Sequence, residues 1–116
     1  MLIEILKSKI HNATITAKEL PYEGSIGIDE AILLKSNMLV NQKVQVVNFN
    51  NGTRLETYVI KEKKNSGIIA LYGPAARQAE VGDKVCIIAY GMIEEADAGS
   101  ADPRVIILDD KNKIKA

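Results

Sequence analysis

Lys43-Val44-Gln45-Val46-Val47-Asn48-Phe49-Asn50-Asn51-Gly52-Thr53-Arg54-Leu55-Glu56-Thr57-Tyr58-Val59-Ile60 reads as two strands meeting at a tight turn. Both arms are rich in β-branched and aromatic residues, and both alternate apolar with polar positions, the period of a half-buried strand. Between them lies Asn50-Asn51-Gly52, and Asn-Gly is a strong short-range hairpin signal. Working outward, the apolar runs Ile68 to Tyr72, Lys84 to Met92 and Arg104 to Leu108 read as further strands downstream. Upstream, Met1 to Leu6 and Ala13 to Thr16 read as two short strands parted by the polar Lys7-Ser8-Lys9 and His11-Asn12, and Ser25 to Ile28 as a third. Asp29 is an N-cap for a helix carrying Ala31 to Leu34, with Asn37 as its stop. Lys61 to Ser66 reads as a charged, solvated turn. Gly73-Pro74-Ala75-Ala76-Arg77 opens a short helix or turn, proline being suited to a first helical position. Glu94 to Ala98 is a helical turn broken by Ala101-Asp102-Pro103, and the polar tail Asp109 to Ala116 is expected to fray. About seven short strands, one short helix and no internal repeat argue for a mainly β barrel, without fixing its topology.

At 116 residues the chain fits a single domain, 1–116, with 47% apolar residues, an ordinary globular composition. Fifteen basic and fifteen acidic side chains cancel, which leaves no electrostatic footprint for nucleic acid or anionic lipid but is compatible with a small charged metabolite. One cysteine, Cys86, and one histidine, His11, make an internal disulfide impossible and a dedicated metal site improbable on ligand count. The N-terminal run is interrupted by Glu4, Lys7 and Lys9, unlike a signal peptide, and nothing approaches a membrane span, so the expected location is cytoplasmic.

A second stretch, Tyr22-Glu23-Gly24-Ser25-Ile26-Gly27-Ile28-Asp29, places a Gly-Ser bond between a turn-like Leu20-Pro21 and an apolar run. On residue types alone it is a turn, with a glycine that permits backbone torsions other residues avoid. Together with Lys7-Ser8-Lys9-Ile10-His11 upstream and Asn51-Gly52-Thr53-Arg54-Leu55-Glu56-Thr57-Tyr58 downstream, however, it closely resembles the aspartate 1-decarboxylase family. The resemblance runs from about Leu6 to Leu108 and implies a double-psi β-barrel. It also implies self-cleavage at Gly24-Ser25 into 1–24 and 25–116, with Ser25 becoming a covalent pyruvoyl cofactor and no diffusible cofactor required. The implied reaction converts L-aspartate to β-alanine and CO2 for pantothenate biosynthesis through a Schiff base, at sites between the protomers of a homotetramer.

With period two, Arg54, Glu56 and Tyr58 share one face of their strand, and Thr53, Leu55, Thr57 and Val59 the other. Residue types alone suit an ordinary half-exposed strand. The resemblance assigns more: Arg54 to a substrate carboxylate, Tyr58 to protonating the product carbon, and Thr57 both to the oxyanion formed during cleavage and to substrate binding. Lys9 and His11, two apart on one strand face, form a basic patch that the resemblance places at the substrate, His11 in a supporting role. Gly73-Pro74-Ala75 matches the family's Gly-Ala-Ala substrate loop, with Pro74 removing one amide donor. The chain departs from the family's usual residues also at Asn12 (arginine), Gly27 (threonine or another larger residue) and Tyr72 (asparagine). Two other readings stay open: a noncatalytic double-psi barrel that binds a ligand or partner through the Arg54 face, and a pyruvoyl decarboxylase of another acidic amino acid.

Overall fold

The computed structural model describes all residues, Met1–Ala116. Eight strands, β1 (Leu2–Thr14), β2 (Ala17–Glu19), β3 (Ser25–Asp29), β4 (Lys43–Asn48), β5 (Arg54–Glu62), β6 (Ile69–Tyr72), β7 (Lys84–Glu94) and β8 (Arg104–Ile107), form one sheet in the order β2-β6-β3-β5-β4-β7-β1-β8. One α-helix, α1 (Glu30–Ser36), and 3₁₀ segments at Gly73–Gln78 and Glu95–Ser100 complete the chain. The expected hairpin is β4–β5, antiparallel, with Val47 opposite Arg54 and Lys43 opposite Tyr58. Other pairings join segments remote in sequence: β3 runs parallel to β5 and antiparallel to β6, while β1 runs antiparallel to β7 and parallel to β8. Parallel neighbours require crossovers, and the interleaved sheet packs around an interior of Ile10, Ile26, Ile28, Val59, Leu71 and Ile87, each fully buried.

Asp29 sets the far end of β3. Its carboxylate, in a residue 2% exposed, accepts from the amides of Ala31, Asn65 and Gly67, each at 2.8 Å. One side chain thus caps α1 and ties down the loop after β5, satisfying donors that burial would otherwise orphan. Asn37 ends α1 in the left-handed region at φ 60°, its N–H donating to the Leu33 carbonyl.

Several features differ from the sequence expectations. The two N-terminal strands are one, β1, because the polar positions are absorbed by register shifts between Leu6 and Ser8 and between Ile10 and Ala13, with Asn12 at φ 63°. A bulge interrupts period two without ending the strand. β5 also runs on to Glu62, two residues into the expected charged turn, and the exposed β2 pairs with β6 although no apolar pattern marks it.

The tail is not frayed. Asn112, 2% exposed, accepts from the Thr14 amide through Oδ1 and donates through Nδ2 to the carbonyls of Thr14 and Gly67, all at 2.8 Å. Leu108 is fully buried and bridges to Ile114. Asn112→Ala is expected to strand these backbone groups and lower unfolding free energy by about 2–3 kcal/mol, as read by chemical denaturation. A shift within about 0.5 kcal/mol, the range of ordinary surface changes, would mean the tail does not brace the barrel.

Candidate active site

Ser25 is the first residue of β3 and is 1% exposed. Its Oγ leans back along the chain, 3.5 Å from the Glu23 carbonyl oxygen. On one side Ser25 faces Tyr72 of β6 directly; on the other, the first rung to β5 joins Ile26 to Val59. Tyr58 and Thr57 immediately precede Val59 on β5, so continuing the parallel register beyond that rung sets them toward Ser25 and Gly24. Cross-strand neighbours share a face about 4.8 Å apart, so on that register Ser25 lies in a row between two tyrosines.

The segment ahead of Ser25 is backed by the corner after β6. Gly73 has φ +74°, and a Cβ there would meet the Gly24 Cα at 2.7 Å, the Gly24 nitrogen at 2.8 Å and the Tyr22 carbonyl oxygen at 2.9 Å. Both the torsion and the close approach demand glycine. The sequence reading put that demand on Gly24, but Gly24 lies outside the left-handed region and a Cβ on it would meet only Pro74 Cδ, at 4.0 Å. Pro74 occupies the first turn of the 3₁₀ segment, where its missing N–H costs the fold no hydrogen bond, and Ala75 packs against the core.

The two tyrosines differ. The Tyr72 hydroxyl donates to Glu62 Oε2 at 2.6 Å, and burial together with that carboxylate pushes its pKa up to about 12. Tyr58 lines a depression of about 310 Å³ with Lys43, Glu56 and Thr57. Thr57 points to the same side of β5 as buried Val59, yet is itself half-buried.

The cations form a second group. Arg54 Nη1 donates to Gln45 Oε1 at 2.7 Å, and the Tyr90 hydroxyl donates to the same oxygen at 3.1 Å. None of the five ion pairs uses Arg54 or Lys9, so both charges are uncommitted. Burial pushes the Cys86 thiol up, while the charges of Lys9 and Arg54 oppose the shift. His11 stands edge-on to Phe49 with ring centroids 5.8 Å apart. Arg54 is four residues along β5 from Tyr58, about 13 Å in an extended strand, and Lys9 lies on β1, four strands from β3. A single chain therefore brings together Gly24, Ser25, Gly73 and Pro74 with Tyr58 and Thr57 alongside, and gathers Lys9 and Arg54 elsewhere.

The aspartate decarboxylase family model matches residues 1–115. The chain belongs to the aspartate decarboxylase family. Proteins named aspartate 1-decarboxylase from Carboxydothermus hydrogenoformans and Cytophaga hutchinsonii are 54% and 53% identical to it over 114 residues, 98% of this chain and 90% and 99% of theirs. The one from Coxiella burnetii is 61% identical over 94 residues, 81% of this chain and 85% of its own. Among solved structures, a rationally designed double-psi β-barrel matches with a TM-score of 0.52 at 17% identity, covering 68% of this chain and 92% of that one. The aspartate decarboxylase barrel seen here is thus a double-psi β-barrel. Within it, sequence reasoning missed Glu62 and Gln45 as neighbours of the site residues. The only signal for Glu62 was the missing side chain at Gly27, which makes room for it, and nothing in the sequence pointed to Gln45.

Proposed function

We propose that the chain is a self-processing decarboxylase that converts L-aspartate to β-alanine and CO2 with a pyruvoyl group made from its own Ser25. The observation that carries this reading is the placement of Ser25, buried at the head of β3, its hydroxyl turned back along the segment that Gly73 backs. In the cleavage, Ser25 Oγ bonds to the Gly24 carbonyl carbon, the C–N bond breaks, and the hydroxyl proton passes to the freed amine. Loss of the Ser25 α-proton then expels the Gly24 carboxylate from Cβ, and water replaces the nitrogen, releasing ammonia. An ester is less stable than the amide it replaces, so the fold must favour the attack geometry and the oxyanion. Thr57, beside Gly24, is the hydroxyl proposed for that oxyanion.

The residues present fit the group. Position 25 is enclosed, faces Tyr72 across the strand pair, and stands at the junction between β3 and the loop that precedes it. When formed, the pyruvoyl group supplies an electrophilic carbonyl for the substrate amine and a sink for the electrons released with CO2. Tyr58 is assigned as the acid that protonates the product carbon. Tyr72 is less suited to it, since its hydroxyl is already committed to Glu62 at 2.6 Å, and burial together with that bond pushes its pKa up to about 12. Gly73, Pro74 and Ala75 wall the substrate, and Lys9, with His11 beside it, adds positive charge.

Arg54 is assigned to the substrate carboxylate that survives the reaction. The departing carboxylate loses charge in the transition state, so an ion pair to it would stabilise the ground state and slow the step. A bidentate guanidinium suits the retained group. Arg54→Lys is accordingly expected to raise KM for aspartate by about 10- to 100-fold, with a smaller fall in kcat; an unchanged KM would remove Arg54 from binding.

The separation of Arg54 and Lys9 from Ser25 within one chain motivates sites between protomers, with a homotetramer as the working form. Cytoplasmic β-alanine supply for pantothenate completes the proposal. Incubating purified protein with L-aspartate and measuring β-alanine tests it: equimolar β-alanine and CO2 support it, and no product from cleaved protein contradicts it.

A further inference from the structure

We propose that Glu62 is a positioning residue for self-cleavage: by holding the Tyr72 phenol, it pins the Tyr22–Gly24 segment where Ser25 attacks the Gly24 carbonyl. The inference rests on the self-cleavage proposed above and adds the device that orders the scissile segment.

The contacts form a continuous line. Glu62, at the end of β5, lays its side chain across Gly27, where a Cβ would come within 2.7 Å of Cδ and 2.8 Å of Cγ. Any larger residue at 27 would displace the carboxylate, so Gly27 is the vacancy that Glu62 fills. From there Glu62 Oε2 accepts the Tyr72 hydroxyl at 2.6 Å. The Tyr72 ring packs on Tyr22 with centroids 4.8 Å apart at 40°, and Tyr72 itself is the cross-strand partner of Ser25. Tyr22 in turn places its carbonyl against Gly73, beside Gly24.

The segment has few bonds of its own. Between β2 and β3 its backbone makes one internal hydrogen bond, from the Tyr22 amide to the Leu20 carbonyl at 2.8 Å. Order in it must therefore come largely from side chains. A nucleophile and carbonyl held near attack geometry gain rate because the entropy of orienting them is spent beforehand, and small misplacements are costly. Gly27, Glu62 and Tyr72 thus form one coupled unit.

The test measures appearance of the 25–116 fragment in freshly purified precursor, and amide hydrogen exchange at Tyr22–Gly24 in the uncleavable Ser25→Ala background. Glu62→Ala is expected to slow cleavage about tenfold or more and raise exchange in the segment by a similar factor, while Glu62→Gln, whose amide oxygen still accepts from Tyr72, restores both. Gly27→Ala should slow cleavage like Glu62→Ala but add little to it, as expected of residues acting through one unit. β-Alanine formed per cleaved chain should stay within about twofold of the parent in Glu62→Ala, since positioning for cleavage is spent once the bond is cut. Cleavage of Glu62→Ala at or above the parent rate, unchanged exchange, or additive effects of Gly27→Ala and Glu62→Ala would each overturn the role. If the parent itself never cleaves, the self-processing reading falls and this role with it; if the parent cleaves and Glu62→Ala matches it, only the role falls.

Discussion

Ser25→Ala is expected to leave the chain as one uncut polypeptide of 116 residues and to abolish β-alanine formation. The alanine lacks both the oxygen proposed to attack Gly24 and the Cβ–O bond whose breakage would generate the new N-terminal group, so neither proposed step has a substitute. The loss should reach the detection limit, unlike that from removing a residue that merely assists. Folding should survive, because the Ser25 hydroxyl makes a single long contact at 3.5 Å and its methyl-sized replacement fits the enclosed position. Denaturing mass spectrometry and a circular dichroism melt of the same sample check both halves. A cleaved Ser25→Ala chain would place the scission elsewhere and remove Ser25 from the chemistry.

Tyr58→Phe is expected to leave cleavage largely intact while lowering β-alanine formation per cleaved chain by about 10²- to 10⁴-fold, the range for a positioned general acid. In the proposed mechanism the phenol is needed only after CO2 has left. Tyr72, the other phenol beside Ser25, is a poor replacement because Glu62 holds its proton. The measurement is paired: fraction cleaved by mass, and product per cleaved chain. Near-normal turnover would take Tyr58 out of the mechanism, and failed cleavage would move its role to maturation.

The parts of the fold legible in the sequence were those written in neighbouring residues. Asn51-Gly52 between two alternating runs specifies the β4–β5 hairpin because turn and strands are contiguous, and Asp29 announces α1 through the cap it makes. The parallel pairings β3–β5 and β1–β8 unite residues far apart in sequence, so they left no local pattern and the barrel topology came only from the family resemblance. Lys7 to Asn12 looked like a break because bulges upset period two, and Asn112 looked like a solvated tail residue because its partners, Thr14 and Gly67, lie far upstream.

For the candidate site the limits were similar. Shared-face arithmetic on β5 set Arg54 with Tyr58, and the structure adds that β3 meets β5 only from the Ile26–Val59 rung onward, next to Tyr58 and about 13 Å or more of strand from Arg54. That distance turns an apparently single site into two groups of residues. Gly24 drew attention as the permissive glycine, whereas the positive φ belongs to Gly73, which only the folded corner reveals. Glu62 read as part of a charged turn because its partners, Tyr72 and the space over Gly27, belong to other strands.

The central claim, a pyruvoyl group made from Ser25 and acting on aspartate, is tested most directly by the mass of the protein reduced with borohydride in the presence of L-aspartate. The expected masses are those of an unmodified 1–24 fragment and of a 25–116 fragment covalently carrying the amino acid, with no adduct on the Ser25→Ala chain. A single intact chain after prolonged warm incubation, or a cleaved chain that takes up no aspartate, would contradict it.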